Sequence, residues 1–156
     1  MKYSFDDYNQ YNVLKIPLML VLTSIYLLKQ ILIFVLPMIS AIPFLVKFAH
    51  QHFTIALLLS SFPIIPLLIV MLIRAPKRQL TIIRWIWERG LLFLLSSLML
   101  EITSIILYVV FELNKFNEVS LMFLYIDAVL IVYLLKSQRV RDVFAEYPDK
   151  ALAENV

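Results

Sequence analysis

Four long runs of apolar residues, separated by short polar stretches, dominate the chain. A helix needs about 20 apolar residues to cross the hydrocarbon core of a bilayer, with a range of about 17 to 25. The pattern predicts four such helices, over 16–39, 54–73, 79–112 and 119–147. Their membrane parts are 16–39, 54–73, 90–111 and 119–135, the last being close to the minimum length. Pro17 suits the first turn of the first helix, and Pro37 and Pro43 punctuate its far end. A turn at Lys29 and Gln30 would split this run in two. It is set aside because neither residue is a turn former and each half would be too short to span. Residues 40–48 are expected to lie on the outer surface as an interfacial segment.

Two flanking stretches carry amphipathic patterns. Leu80, Ile83 and Trp87 fall at helical spacing, while Arg84 and Glu88 form an i, i+4 pair on another face. The third helix should therefore begin outside the bilayer, with Trp85 and Trp87 at headgroup level. Beyond Lys136 the fourth helix is expected to continue. There Val140, Val143, Phe144 and Tyr147 alternate with Arg139, Arg141, Asp142 and Glu146 until Pro148 stops it.

Composition agrees with this all-α, polytopic membrane architecture. Hydrophobic residues make up 62% of the 156, against roughly 45 to 50% in a soluble domain. Mean hydropathy is +0.88. The length allows one membrane domain and no appended soluble one. Asp6 and Asp7 replace a basic n-region, and no small-residue cleavage site precedes Pro37, so the first span is expected to be retained as an anchor.

Charge sets the orientation. With four spans, Lys2, Lys15, Arg74, Lys77, Arg78, Arg84, Arg89, Lys136, Arg139, Arg141 and Lys150 share one side, and the other side has Lys47 and Lys115. Positive charge in short loops stays cytoplasmic, which predicts both termini inside. Topology and anionic headgroups thus account for the cations without a nucleic-acid partner.

Three ionisable residues interrupt the apolar runs near their middles. At about 1.5 Å per residue, Lys29 lies roughly 18 Å from the inner edge of its span. By the same rise, Glu101 lies roughly 16 Å from Gly90 and Asp127 roughly 12 Å from either end. A lysine stem reaches only about 6 Å, too short to leave a core about 30 Å thick. Each central charge costs about 2.5 to 3.5 kcal/mol on insertion scales, so the three are expected to form one polar layer, with Lys29 paired to Glu101 or Asp127. One ammonium cannot neutralise two carboxylates, and the acid left over is expected to hold a proton. Pro63 and Pro66 free the carbonyls of Leu59 and Phe62 beside Ser60 and Ser61, which gives Lys29 further acceptors. The layer serves as helix glue in a chain with one glycine and no GxxxG, as a charge-translocating or ligand-coordinating site, or as a contact to another subunit.

No catalytic constellation is present. His50 and His52 are two apart without a nearby Cys, Asp or Glu, a poor metal site. The chain has no cysteine and a single glycine, which excludes thiol chemistry and phosphate-cradling loops. There is no HExxH or nucleophile elbow, and no internal repeat. Neither an enzyme nor a cofactor is expected. Lipid-headgroup chemistry is disfavoured because these charges sit at the midplane rather than at an interface.

The string Asp127, Tyr133, Leu134, Leu135, Lys136, Ser137, Arg139, Arg141, Asp142, Phe144, Glu146, Tyr147, Pro148 resembles the signature of an uncharacterised family of small, four-span bacterial inner-membrane proteins, classed only as a domain of unknown function. Asp7, Tyr8, Tyr11, Leu14, Lys15 and Pro17 resemble its other end, with Asn12 and Ile16 standing where a glycine and a proline are expected. The resemblance implies a bacterial inner-membrane location and four helices, and no activity. The dense polar string after Lys136 predicts a cytoplasmic contact with a partner or headgroups through Arg139, Arg141, Asp142, Phe144 and Tyr147. Together these features predict a non-enzymatic accessory, assembly or scaffold subunit, surrounded by membrane lipids and bound to another membrane protein or to itself. The alternative is an oligomeric ion- or proton-coupled permease using Lys29, Glu101 and Asp127.

Overall fold

A computed structural model describes residues 3–8, 13–39, 42–52, 54–73, 81–111 and 118–147. Among them the regular structure is helical, apart from one isolated antiparallel bridge between Tyr8 and Leu14.

The first apolar run is not one helix. It forms α1 (Leu18–Leu27) and α2 (Lys29–Ile39), bent by 41° at Leu28. Pro17 caps α1, its carbonyl accepting from Leu20 N–H, and Pro37 lies inside α2 rather than at its end. The unbroken helix expected over 16–39 is thus corrected, and the cause is tertiary. The hydroxyl of Ser61 donates to the Leu27 carbonyl at 2.7 Å. Lys29 and Gln30, about 100° apart on a straight helix, both reach Glu101 across the bend.

Residues beyond Pro43 form α3 (Pro43–His52), which packs back on α2. The second run is broken as well, into α4 (Ile55–Ser60) and α5 (Ile64–Ile73), with Pro63 at the break. The carbonyls that Pro63 and Pro66 free do not go to Lys29. Phe62 N–H donates to Leu59 at 3.2 Å and Ile65 N–H to Phe62 at 3.2 Å, tight i to i+3 bonds that close the gap locally. Pro66 is the third residue of α5, where its missing N–H has no helical acceptor to satisfy.

The third run divides at Arg89 into α6 (Thr81–Glu88) and α7 (Gly90–Val110), and the fourth at Ser137 into α8 (Glu118–Lys136) and α9 (Gln138–Ala145). Both had been expected to continue. Ser137 is extended, φ −72° and ψ 106°, and its Oγ accepts from Val140 N–H at 3.3 Å, the N-cap that starts α9 in a new direction. The turn buries Val140, Val143 and Phe144 instead of leaving them along the fourth helix.

Central to the bundle is α7, which contacts α1, α4, α5, α6, α8 and α9. Gly90, Leu94, Ser97, Leu98, Glu101 and Ile105 are its buried residues, a stripe at three- and four-residue spacing. The apolar core gathers at its N-terminal half, where Leu20, Leu27, Leu67, Trp87, Leu94 and Leu134 are fully or almost fully buried. Trp87 was expected at headgroup level beside Trp85. It is instead wholly enclosed, with its indole N–H donating to the carbonyls of Val143 (3.1 Å) and Glu146 (2.9 Å). Trp85 faces outward under the Arg89 guanidinium, 4.2 Å from its ring centre.

Candidate functional site

The three mid-run charges meet. Lys29 at the start of α2 places Nζ 2.6 Å from Glu101 Oε1 and 2.7 Å from Oε2. Asp127 Oδ1 on α8 lies 4.0 Å from the same ammonium. Glu101 and Asp127 have no solvent exposure. The charges therefore tie α2, α7 and α8 together near the middle of their runs, which is where an unpaired charge is least tolerated.

Two further residues complete the layer. Tyr26, one turn before Lys29, donates its hydroxyl to Asp127 Oδ1 at 2.9 Å, and the Lys29 ammonium lies 3.5 Å from the centre of its ring. Gln30, fully buried, donates Nε2 to Glu101 Oε1 at 3.0 Å. Phe123 offers a second ring face, 5.1 Å from Lys29 Nζ. Both Tyr26 and Gln30 sit within a turn of Lys29 and carry hydrogen-bonding groups inside an apolar run. That was the signal available in the sequence.

The predicted serines and Pro63 stand next to the charges as braces and not as ligands. Ser60 Oγ donates to Leu57 at 2.6 Å in its own helix, and Ser61 reaches Leu27. The carbonyl of Ser60 accepts from Ser97 Oγ of α7. The breaks in the first and second runs are thus stitched to each other and to the central helix by two hydroxyls. Pro63 is half-buried and creates the second break.

The residues expected to make an outside contact after Lys136 are mostly engaged within the chain. Phe144 is buried, its ring 5.1 Å from that of Trp87 and pressed against Gly90, where a Cβ would fall inside it. Tyr147 is half-buried against the same core. Phe144 is therefore not available to a partner, which corrects that expectation. Arg139 pairs with Asp7 at 2.7 Å, and Asp142 accepts from the Tyr3 hydroxyl at 2.6 Å. Glu146 accepts from Leu14 N–H at 3.0 Å. Of the five residues, Arg141 is exposed.

The two strings at the ends of the sequence thus form one clasp, N-terminal residues 3–8 and 13–14 against α9. Tyr3, Tyr8, Asp142, Ala145 and Glu146 line a shallow cleft of about 280 Å³ there. No group of three or more potential metal ligands occurs among the described residues, and the side chains of His50 and His52 lie outside them.

Three helical segments, Ile55–Ile73, Gly90–Val110 and Glu118–Lys136, are long and apolar enough to cross a membrane, and the bent pair Leu18–Leu27 and Lys29–Ile39 makes a fourth if it counts as one span. With charged groups buried at mid-length, this defines an all-helical protein built of potential membrane spans around an internal ion pair. The chain belongs to the family described as Protein of unknown function (DUF2919), whose model matches residues 3–146. That match begins and ends at the clasp, at Tyr3 and Glu146. No curated protein and no solved structure matches the chain.

Proposed function

We propose that the chain is a non-enzymatic, multi-pass protein of the bacterial inner membrane, with both termini cytoplasmic, that serves as an accessory, assembly or scaffold subunit of a larger membrane complex. One observation carries this reading. Of the 19 residues of α8, Asp127 and Leu134 alone are buried, while Leu121, Met122, Tyr125, Val129, Val132 and Leu135 face outward. One face of α8 packs on the bundle through Asp127, Leu130, Ile131, Tyr133 and Leu134, and the opposite face is left to its surroundings. In a bilayer those surroundings are lipid or another membrane protein, and dispersion and shape decide between them. Lys29, meanwhile, is engaged by Glu101 within the same chain.

Native recovery of the tagged protein in nanodiscs, with mass determination of what accompanies it, tests this reading. Stoichiometric association with a second membrane protein is the expected result, and a monomer surrounded by lipid alone would overturn it. The orientation has its own test, because the chain has no cysteine. Single cysteines introduced at Ser4 and Arg141 should both react only from the cytoplasmic side.

The second reading is the oligomeric ion- or proton-coupled permease. What favours it is the helix break at Leu28, directly before Lys29, to which the second break is tied by Ser61 through the Leu27 carbonyl. Discontinuous helices of this kind surround ion sites in transporters. A clean homo-oligomer, with a proton flux in liposomes that is lost in Asp127→Asn and Glu101→Gln, would establish it.

A further inference from the structure

Glu101 and Asp127 are equally buried but differently attended. Glu101 takes Lys29 on both oxygens and the Gln30 amide on one of them. Asp127 takes a single hydroxyl, that of Tyr26, on Oδ1. Its Oδ2 is enclosed without a hydrogen-bond partner among the described residues. The charged and titratable groups that face it are Tyr26 from α1, Lys29 from α2 and Glu101 from α7. With both carboxylates ionised, one ammonium would leave the enclosed layer with a net negative charge and a bare anionic oxygen. A buried charge lacking donors is far less stable than a buried neutral group.

We infer that Asp127 is a proton-binding site: Oδ2 carries an exchangeable proton, which removes the bare anionic oxygen from the enclosed layer. The ligand is the proton itself. Binding forms the O–H bond on Oδ2 from a water-borne proton, and release returns that proton to water and leaves the electron pair on the carboxylate. Release also creates a second anion 4.0 Å from the Lys29 ammonium, which then has two carboxylates competing for it. Of these three groups Lys29 alone has side-chain exposure, 13%. The inference does not depend on the subunit reading, since a subunit and a permease would both hold this proton.

Infrared difference spectra of the full-length protein in lipid nanodiscs, recorded through a pH titration, read the C=O stretch that only a protonated carboxyl possesses. The expected spectrum has one such band at neutral pH that disappears at alkaline pH. It shifts to lower frequency when aspartate is labelled with ¹³C at its side-chain carboxyl, and it is lost in Asp127→Asn. The other aspartates, Asp6, Asp7, Asp142 and Asp149, belong to the two polar tails of the sequence. A neutral-pH band that ignores the aspartate label would place the proton on a glutamate, and the absence of any band would mean that Asp127 holds none. Either result overturns the assignment. The isotope shift is read on the unaltered protein, so it decides the matter even if Asp127→Asn does not fold.

Discussion

At the residue scale the ion pair is a fastening whose worth depends on its partner. Removing one member of a buried pair leaves the other uncompensated and costs about 3 to 5 kcal/mol, whereas replacing both by apolar residues is often neutral. Lys29→Met should therefore lower the melting temperature in nanodiscs sharply, and Lys29→Met with Glu101→Leu should regain most of the loss. Equal loss in the single and double variants would show that the charges do more than offset each other. Gly90 makes a second residue-scale prediction. With Phe144 occupying the place of its Cβ, Gly90→Ala should destabilise by about 1 to 3 kcal/mol. Combination with Phe144→Leu should be more stable than the sum of the two singles. Thermal melts of the four proteins check both. The meeting of Lys29, Glu101 and Asp127 was legible in the sequence from depth alone, because a charge in the middle of an apolar run has few places to go. The choice of Glu101 as the main partner was not legible, since it turns on the bend at Leu28 that lets Lys29 and Gln30 reach the same carboxylate.

At the scale of elements the runs were legible and the breaks were not. Hydropathy reports how long a segment is apolar, and the fourth helix, expected over 119–147, ends at Lys136 where the apolar run ends. It cannot report that Ser61 will take the Leu27 carbonyl, or that Ser137 will cap α9, because those contacts are made by neighbouring strands of chain or by a single hydroxyl. Ser61→Ala should cost about 1 kcal/mol and raise amide hydrogen exchange around Leu28 more than around Glu101. Because Ser137 is the N-cap of α9, Ser137→Ala should cost about 0.5 to 2 kcal/mol and Ser137→Gly only a few tenths. The measurement is exchange of the α9 amides, and equal effects of the two substitutions would argue against the cap. Pro63 is the exception among the breaks. The freed carbonyl was foreseeable, though the run was expected unbroken over 54–73 and that carbonyl went to a local N–H and not to Lys29.

At the scale of the whole molecule the clasp joins the two ends of the chain. Asp7 to Arg139 and Leu14 to Glu146 are each 132 residues apart. The Asp7 pair, its side chains 38% and 29% open to solvent, should contribute only about 0 to 1 kcal/mol, so Arg139→Ala should barely change the melting temperature. Leu14, which is fully buried, carries more of the clasp, and Leu14→Ala should cost about 2 to 5 kcal/mol. Exchange of the α9 amides and of residues 13–14 should rise together in that variant, as one opening unit. Separate responses would show two independent attachments. The same arrangement orders the events of synthesis. At about 5 to 20 residues per second, the ribosome needs roughly 7 to 26 s to travel from Leu14 to Glu146. During that interval the seat for Leu14 does not yet exist. The first segment waits for the last, and a chain cut short before α9 would leave the Trp87 indole without the carbonyls of Val143 and Glu146 and without the Phe144 ring.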